Sequence, residues 1–205
     1  MKYLSYIVAR DYGFAPNPFH GVCTLATCKP KLRKAASVGD WVIGTGSVKN
    51  NASGRLIYAM QVSEKLTFDE YWNQERFALK RPVMEGSKKV MYGDNIYHQD
   101  EKGVWLQENS HHALDNGDIN QKNLKTDTGG IYVLISTNFF YFGKKNVAIP
   151  DPIVQDVCCS TQGWKYVEKN SGDELIDFLQ TGYPAKRLGW PLQLAGNFKR
   201  YEGNK

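Results

Sequence analysis

The chain has 205 residues, enough for one domain that buries most of its apolar surface without disulfides. Hydrophobic residues make up 41% and aromatic residues 13%, which excludes intrinsic disorder; a formal net charge of +5 allows an anionic partner without requiring one. No apolar run approaches the ~20 residues of a membrane span, and the opening MKYLSYIVARDYG lacks the make-up of a signal peptide, so a cytosolic protein is expected.

Residues 3–9, YLSYIVA, are β-branched and aromatic and predict a strand. The stretch from Asp11 to Phe19, DYGFAPNPF, is a loop stiffened by Pro16 and Pro18. GVCTLATC (21–28) fits a short strand or a buried helical turn, and a basic segment with Lys29, Lys31, Arg33 and Lys34 follows. After a Val38-Gly39-Asp40 turn, Trp41 to Ile43 predicts a strand, and Arg55 to Glu64 predicts another. Between them, Gly44 and Gly46 permit close backbone approach and KNNASG forms a polar loop.

Thr67-Phe-Asp-Glu70 has the spacing of a capping box and opens a helix through TFDEYWNQERFALK, with Phe68, Tyr71 and Trp72 on one face. From Lys80 to Asp127 the pattern is irregular, and only VWLQ (104–107) resembles a strand. Loops of that length in a compact domain are usually functional. IYVLIS (131–136) and FFYFG (139–143), joined at Thr137-Asn138, predict a hairpin. A second capping box at Ser171-Gly-Asp-Glu174 opens a final helix, which Gly182 and Pro184 end.

Chemistry concentrates in the irregular segment. His98, His111 and His112 lie within it, among Asp94, Asn95, Asp115, Asp118, Asn120, Asn123 and Asp127. Imidazole is the usual general acid or base near neutral pH, and a neighbouring carboxylate sets its tautomer. Adjacent histidines in an extended strand point to opposite faces, so at most one of His111 and His112 would then face a given pocket. Neither H-x-E nor H-E-x-x-H occurs, and the cysteines (Cys23, Cys28, Cys158, Cys159) lack C-x2-C spacing, so no metal site is expected and the thiols are expected free. Cys23 is a candidate nucleophile without a local activating group. P-loop, G-x-G-x-x-G and G-x-S-x-G motifs are absent, and no cofactor is implied. Basic clusters at 29–34 and at Lys80, Arg81, Lys88 and Lys89 suit phosphate, with Trp41, Tyr92, Tyr97 and Trp105 as stacking candidates.

FAPNPFHGVCTLATCKPKLRKAASVGDWVIGTGS, YAMQVSEKLTFDEYW and YGDNIYH…W…SHH resemble the second type of nucleotide-modification-associated domain, over roughly residues 3–145. The order of basic segment, Gly-Asp turn, strand, hairpin and strand also resembles PUA-like barrels, the group of the EVE, ASCH and YTH domains. The resemblance implies an α+β fold built on a mixed PUA-like β-barrel with peripheral helices, and a role near modified bases in DNA modification or phage defence. It carries over Asp11, Phe14, Asn17, Cys28, Pro30, Gly39, Asp40, Gly44, Thr45, Gly46, Asp94, Asn95, His98, His111 and His112 as residues of interest.

The expectation is one domain: a core over 1–145 containing the functional segment 80–127, then an extension over 146–205. Its pocket would be lined by the 11–19 loop, the 44–47 turn and the 93–112 segment. As a recognition module for a nucleotide or nucleic acid, it would stack the base on Phe14 or Trp41. Asn17, Asp94 and Asn95 would read the base edge, Lys29, Lys31 and Arg33 would hold phosphate, and Thr45, Gly46, Asp11 and His112 would line the site. As an enzyme on a nucleotide or modified base, it would use His98 or His111 as general acid or base, oriented by Asp94. The oligomeric state is not readable from these residues.

Overall fold

Large side chains alternate along the first strand, β1 (Tyr3–Val8), and the layers of the molecule follow from that alternation. Leu4, Tyr6 and Val8 enter one apolar core and Tyr3 enters another on the opposite face. The computed structural model describes residues 1–161, 163–201 and 203. The elements after β1 are β2 (Cys23–Leu25), α1 (Pro30–Ala35), β3 (Trp41–Gly46), β4 (Arg55–Gln61), β5 (Glu64–Thr67), α2 (Phe68–Asn73), α3 (Lys88–Met91), β6 (Tyr97–Gln99) and β7 (Trp105–Gln107). The second half adds α4 (Gln121–Thr128), β8 (Tyr132–Ser136), β9 (Asn138–Tyr141), β10 (Val147–Ala148), α5 (Asp151–Val157), β11 (Trp164–Val167) and α6 (Lys169–Gly182).

The fold is mixed α+β. The central sheet runs β10-β4-β3-β1-β11, with β9 also paired to β4. β1 and β3 are parallel, Tyr3 opposite Trp41 through Val8 opposite Gly46, and the other pairings are antiparallel. Helices α5 and α6 cover one face through Ile153, Val157, Leu175 and Leu179, which meet Trp41, Ile43 and Phe140. Each such buried aliphatic side chain contributes roughly 1.5–3 kcal/mol. A second sheet, β2-β8-β5, covers the other face, with Leu25 and Leu134 against Leu4, Val42 and Met60. On its far side Val133 and Ile135 pack on Phe68 and Tyr71 of α2, Leu124 of α4 and the aromatics of the 11–14 loop.

Several expectations are revised. The strands do not close into a barrel. They divide into sheets of six, three and two strands, because the chain bends from one sheet to the next at Val62–Ser63 and again at Thr137. Those bends also replace the hairpin expected over 131–143: β8 pairs with β2 and β5, while β9 joins β4. The single strand expected over 55–64 becomes β4 and β5 for the same reason. Thr67 and Glu70 do form the reciprocal capping box, but α2 ends at Asn73 and a 3-10 turn carries the chain from Glu75 to Lys80. The last helix starts at Lys169, before Ser171, with Asp173 bound by Tyr3 and Lys169. Within 80–127 the chain is more regular than its composition suggests, with the β6–β7 ribbon and α4.

Candidate functional site

At the carboxyl end of β2 the chain must turn sharply into α1. Cys28 and Lys29 make that turn in the left-handed region, at φ 58° and 43°. For residues bearing a Cβ this costs on the order of 1–3 kcal/mol each. The surrounding groups hold it in place. The Cys28 N–H donates to Asp127 Oδ1 (2.8 Å), and its carbonyl accepts from Arg33 Nε (2.8 Å).

The same contacts assemble a three-residue relay. Cys28 Sγ lies 3.9 Å from His112 Nε2, and His112 Nδ1 lies 2.8 Å from Asp127 Oδ2. The Tyr97 hydroxyl donates to that carboxylate oxygen too (2.9 Å). Burial alone would pull the His112 pKa down; the Asp127 carboxylate, with a smaller contribution from Cys28, outweighs burial and lifts it to about 10. Burial likewise pushes Asp127 up, and His112, Arg33 and Tyr97 together bring it below its usual value. Both directions describe one buried ion pair, His112 cationic and Asp127 anionic at neutral pH.

Arg33 is wholly buried beneath this relay. Its guanidinium donates to the carbonyls of Cys28, Asp127 (2.7 Å) and Tyr132, tying the turn at Cys28 to the stretch from the end of α4 to the start of β8. Gln107 and Asn123 hold the His112 carbonyl, at 3.0 and 2.9 Å.

Above the relay opens a cavity of about 210 Å³. Its walls come from β1 and the following turn (Tyr6 to Arg10), the loop residues Tyr12 and Phe14, Cys28, Lys29, His111, His112 and Tyr201. Phe14 sets its ring against both histidines, with centroids 4.9 Å from His111 and 4.7 Å from His112. Burial and the His112 cation lower the His111 pKa to about 3, so that ring stays neutral. Arg10 is exposed at the mouth, its guanidinium 4.4 Å from the Tyr201 ring centre, and has no carboxylate partner among the described residues.

Of the residues expected at a site, Phe14, Lys29, His111 and His112 share this cavity. Both histidines line it because the 110–113 segment is a turn, whereas an extended strand would have sent them to opposite faces. The others lie elsewhere. His98 stacks flat on Trp72 (3.9 Å) and meets Glu108 at 3.0 Å. Asp94 is buried and accepts from Thr24 (2.6 Å) and Tyr71 (2.9 Å), with no histidine among these partners. Asn17 and the buried Lys80 ammonium bond each other beside Asp94, and Asn95 donates to the Tyr71 carbonyl. Asp11 accepts from Tyr141 and the Leu192 N–H, tying the loop to the carboxyl-terminal segment. Trp41 belongs to the core under α5 and α6. Thr45 bonds the Tyr6 carbonyl, and Gly46 admits the Ala52 backbone, which a Cβ would meet at 2.1 Å.

Sequence reasoning weighed Cys23, which is buried at the core with its thiol pKa raised by desolvation. It missed the roles of Cys28 and Asp127 and the cavity positions of Arg10, Tyr12 and Tyr201. Cys28 lies in the stretch that carries the family resemblance, and Asp127 in the acidic run after the histidines. Tyr201 left no signal. Among the described residues no group of three or more His, Cys, Asp or Glu could hold a metal ion, and no helix is long and apolar enough to cross a membrane.

The molecule is thus an α+β protein with a cavity built over a Cys–His–Asp relay whose histidine and aspartate are buried. The family model described as nucleotide modification associated domain 2 matches residues 1–198, and the chain belongs to that family. A search of the curated proteins and a search of the solved structures each gave no match.

Proposed function

We propose that this protein is a thiol-dependent enzyme acting on a nucleobase or nucleotide, with Cys28 as nucleophile, His112 as acid and base, and Asp127 as the residue that orients His112. The contact between Cys28 Sγ and His112 Nε2, with Asp127 on the other ring nitrogen, carries the reading. A thiolate is the nucleophilic form of cysteine, and a neighbouring imidazolium favours it. In the reaction the thiol proton resides on His112 Nε2 and sulfur bonds to an electrophilic carbon of the base or its modifying group. The leaving group departs with the His112 proton. Water, deprotonated by His112, then attacks the same carbon and releases the thiolate. Tyr12, Phe14 and Tyr201 supply ring surfaces for a base, and Arg10 supplies a cation for a phosphate. The family's link to nucleotide modification supports the substrate class.

The test is a thermal-shift screen of nucleotides and modified nucleosides, followed by intact and peptide mass spectrometry with each hit. The expected result is a covalent adduct on the Cys28 peptide that Cys28→Ser lacks while keeping its fold. Turnover by Cys28→Ser at the wild-type rate overturns the proposal.

A second reading, recognition of a base within a DNA modification or phage defence system without turnover, draws on the aromatic lining of the cavity. Under it Cys28→Ser binds the same ligands with unchanged affinity, and no product forms with either protein.

A further inference from the structure

Away from the cavity, two shallow depressions adjoin one another and share Lys89. Lys88, Lys89, Lys144, Lys186 and Arg187 line them, and no carboxylate does. None of these cations enters an ion pair among the described residues. An aromatic platform lies in their midst. Trp190 is 51% exposed, and its ring carries the Arg187 guanidinium 4.4 Å above its centre. Phe19 packs beside it at 5.9 Å. The backbone of Trp190 is tied to the neighbouring turn, its carbonyl accepting the Lys144 backbone N–H (2.8 Å). His20 adds a ring nitrogen, Nε2, that has no partner among the described residues.

Cations without a carboxylate partner beside an exposed indole form a pattern suited to single-stranded nucleic acid: the cations follow the phosphates and a base stacks on the ring. We infer that this groove holds a single strand of DNA or RNA and delivers one of its bases to the Cys28 cavity. The delivery step rests on the functional reading above; the binding step does not. Phe14 lies in the cavity and Phe19 beside the groove. Five residues span at most about 18 Å, so the stiff loop keeps the two sites close. An unpaired strand also spares the cost of extracting a base from a duplex.

The experiment is fluorescence anisotropy with labelled single-stranded DNA and RNA oligonucleotides from 50 to 200 mM salt, using the full chain. Five phosphate contacts on a single strand give a log–log slope of about −3.5, or roughly a 100-fold loss of affinity across that range. Lys89→Glu combined with Lys186→Glu and Arg187→Glu is expected to weaken binding more than tenfold and to flatten the salt slope by about 2. Trp190→Ala should weaken it about tenfold at any salt. Binding of either oligonucleotide with these dependences supports the inference, and preference for one polymer identifies it. Unchanged affinity in the charge-reversal variant, or binding to anionic phospholipid vesicles but to neither oligonucleotide, overturns it. Strand affinity is read by anisotropy and the thiol chemistry by the Cys28 adduct, so failure of the groove and failure of the functional reading are distinguished.

Discussion

Replacing Asp127 by Asn keeps the size of the side chain but removes the charge that holds His112 protonated. The His112 pKa lies at about 10, against 6.5 for an ordinary histidine. At about 1.36 kcal/mol per pH unit that displacement amounts to roughly 5 kcal/mol, and breaking a buried pair usually costs about 3–5 kcal/mol. Because the folded-state pKa is raised, this stability is complete below pH 6.5 and is lost as pH climbs through 10. Lys80 works against the trend. Burial lowers its pKa to about 8, so its unfavourable protonation fades as pH rises from 8. Urea unfolding of wild type and Asp127→Asn at half-unit steps from pH 6 to 10 cancels Lys80 in the difference. The expected gap is widest at pH 6 and narrows steadily toward pH 10. Peptide-resolved alkylation by iodoacetamide at pH 7 gives a second readout: Cys28 should react more slowly in the variant, which lacks the cation beside the sulfur, with Cys158 and Cys159 unchanged. A stability gap that stays constant from pH 6 to 10 would refute the ion pair.

His111 predicts the acid limb. Its pKa is depressed to about 3, so stability is unaffected by this ring above pH 6.5 and falls as pH drops from there toward 3, by up to about 1.4 kcal/mol per pH unit; His111→Phe should show a shallower loss in acid unfolding. Arg33→Met leaves the Cys28, Asp127 and Tyr132 carbonyls without their charged donor and should cost about 3 kcal/mol or more in urea unfolding. Removal of His98, which stacks on Trp72 outside the cavity, should cost about 1 kcal/mol and leave Cys28 alkylation at its wild-type rate.

The strands were largely legible, because a buried strand is a short run of branched and aromatic residues whatever it pairs with. Partners were not. Thr137-Asn138 has hairpin chemistry, yet Ile135 is already engaged by β5 and β2, so the chain crosses to β4 instead. For the site, composition located the histidines and the stiff loop but could not assign partners. Asp94 and Asp127 look equivalent as letters in a polar segment. Asp94 is enclosed with Thr24, Tyr71 and the Lys80 ammonium, whereas α4 brings Asp127 under His112. Arg33 looked like a phosphate ligand because it sits in a basic run, but its guanidinium has three carbonyls to satisfy and is fully buried. Cys28 depends on a left-handed backbone that residue identity does not announce, since glycine would be the ordinary choice there.

β1 takes its second neighbour, β11, from more than 150 residues further along. Pairings of such long range are slow to form, and an unfilled strand flank invites intermolecular association. Shortened versions ending near residue 145 would lose that neighbour together with α5 and α6, uncovering Trp41, Ile43 and Phe140. Recombinant fragments cut there should collect in inclusion bodies, and crystallographic or screening work is better served by retaining the distal segment.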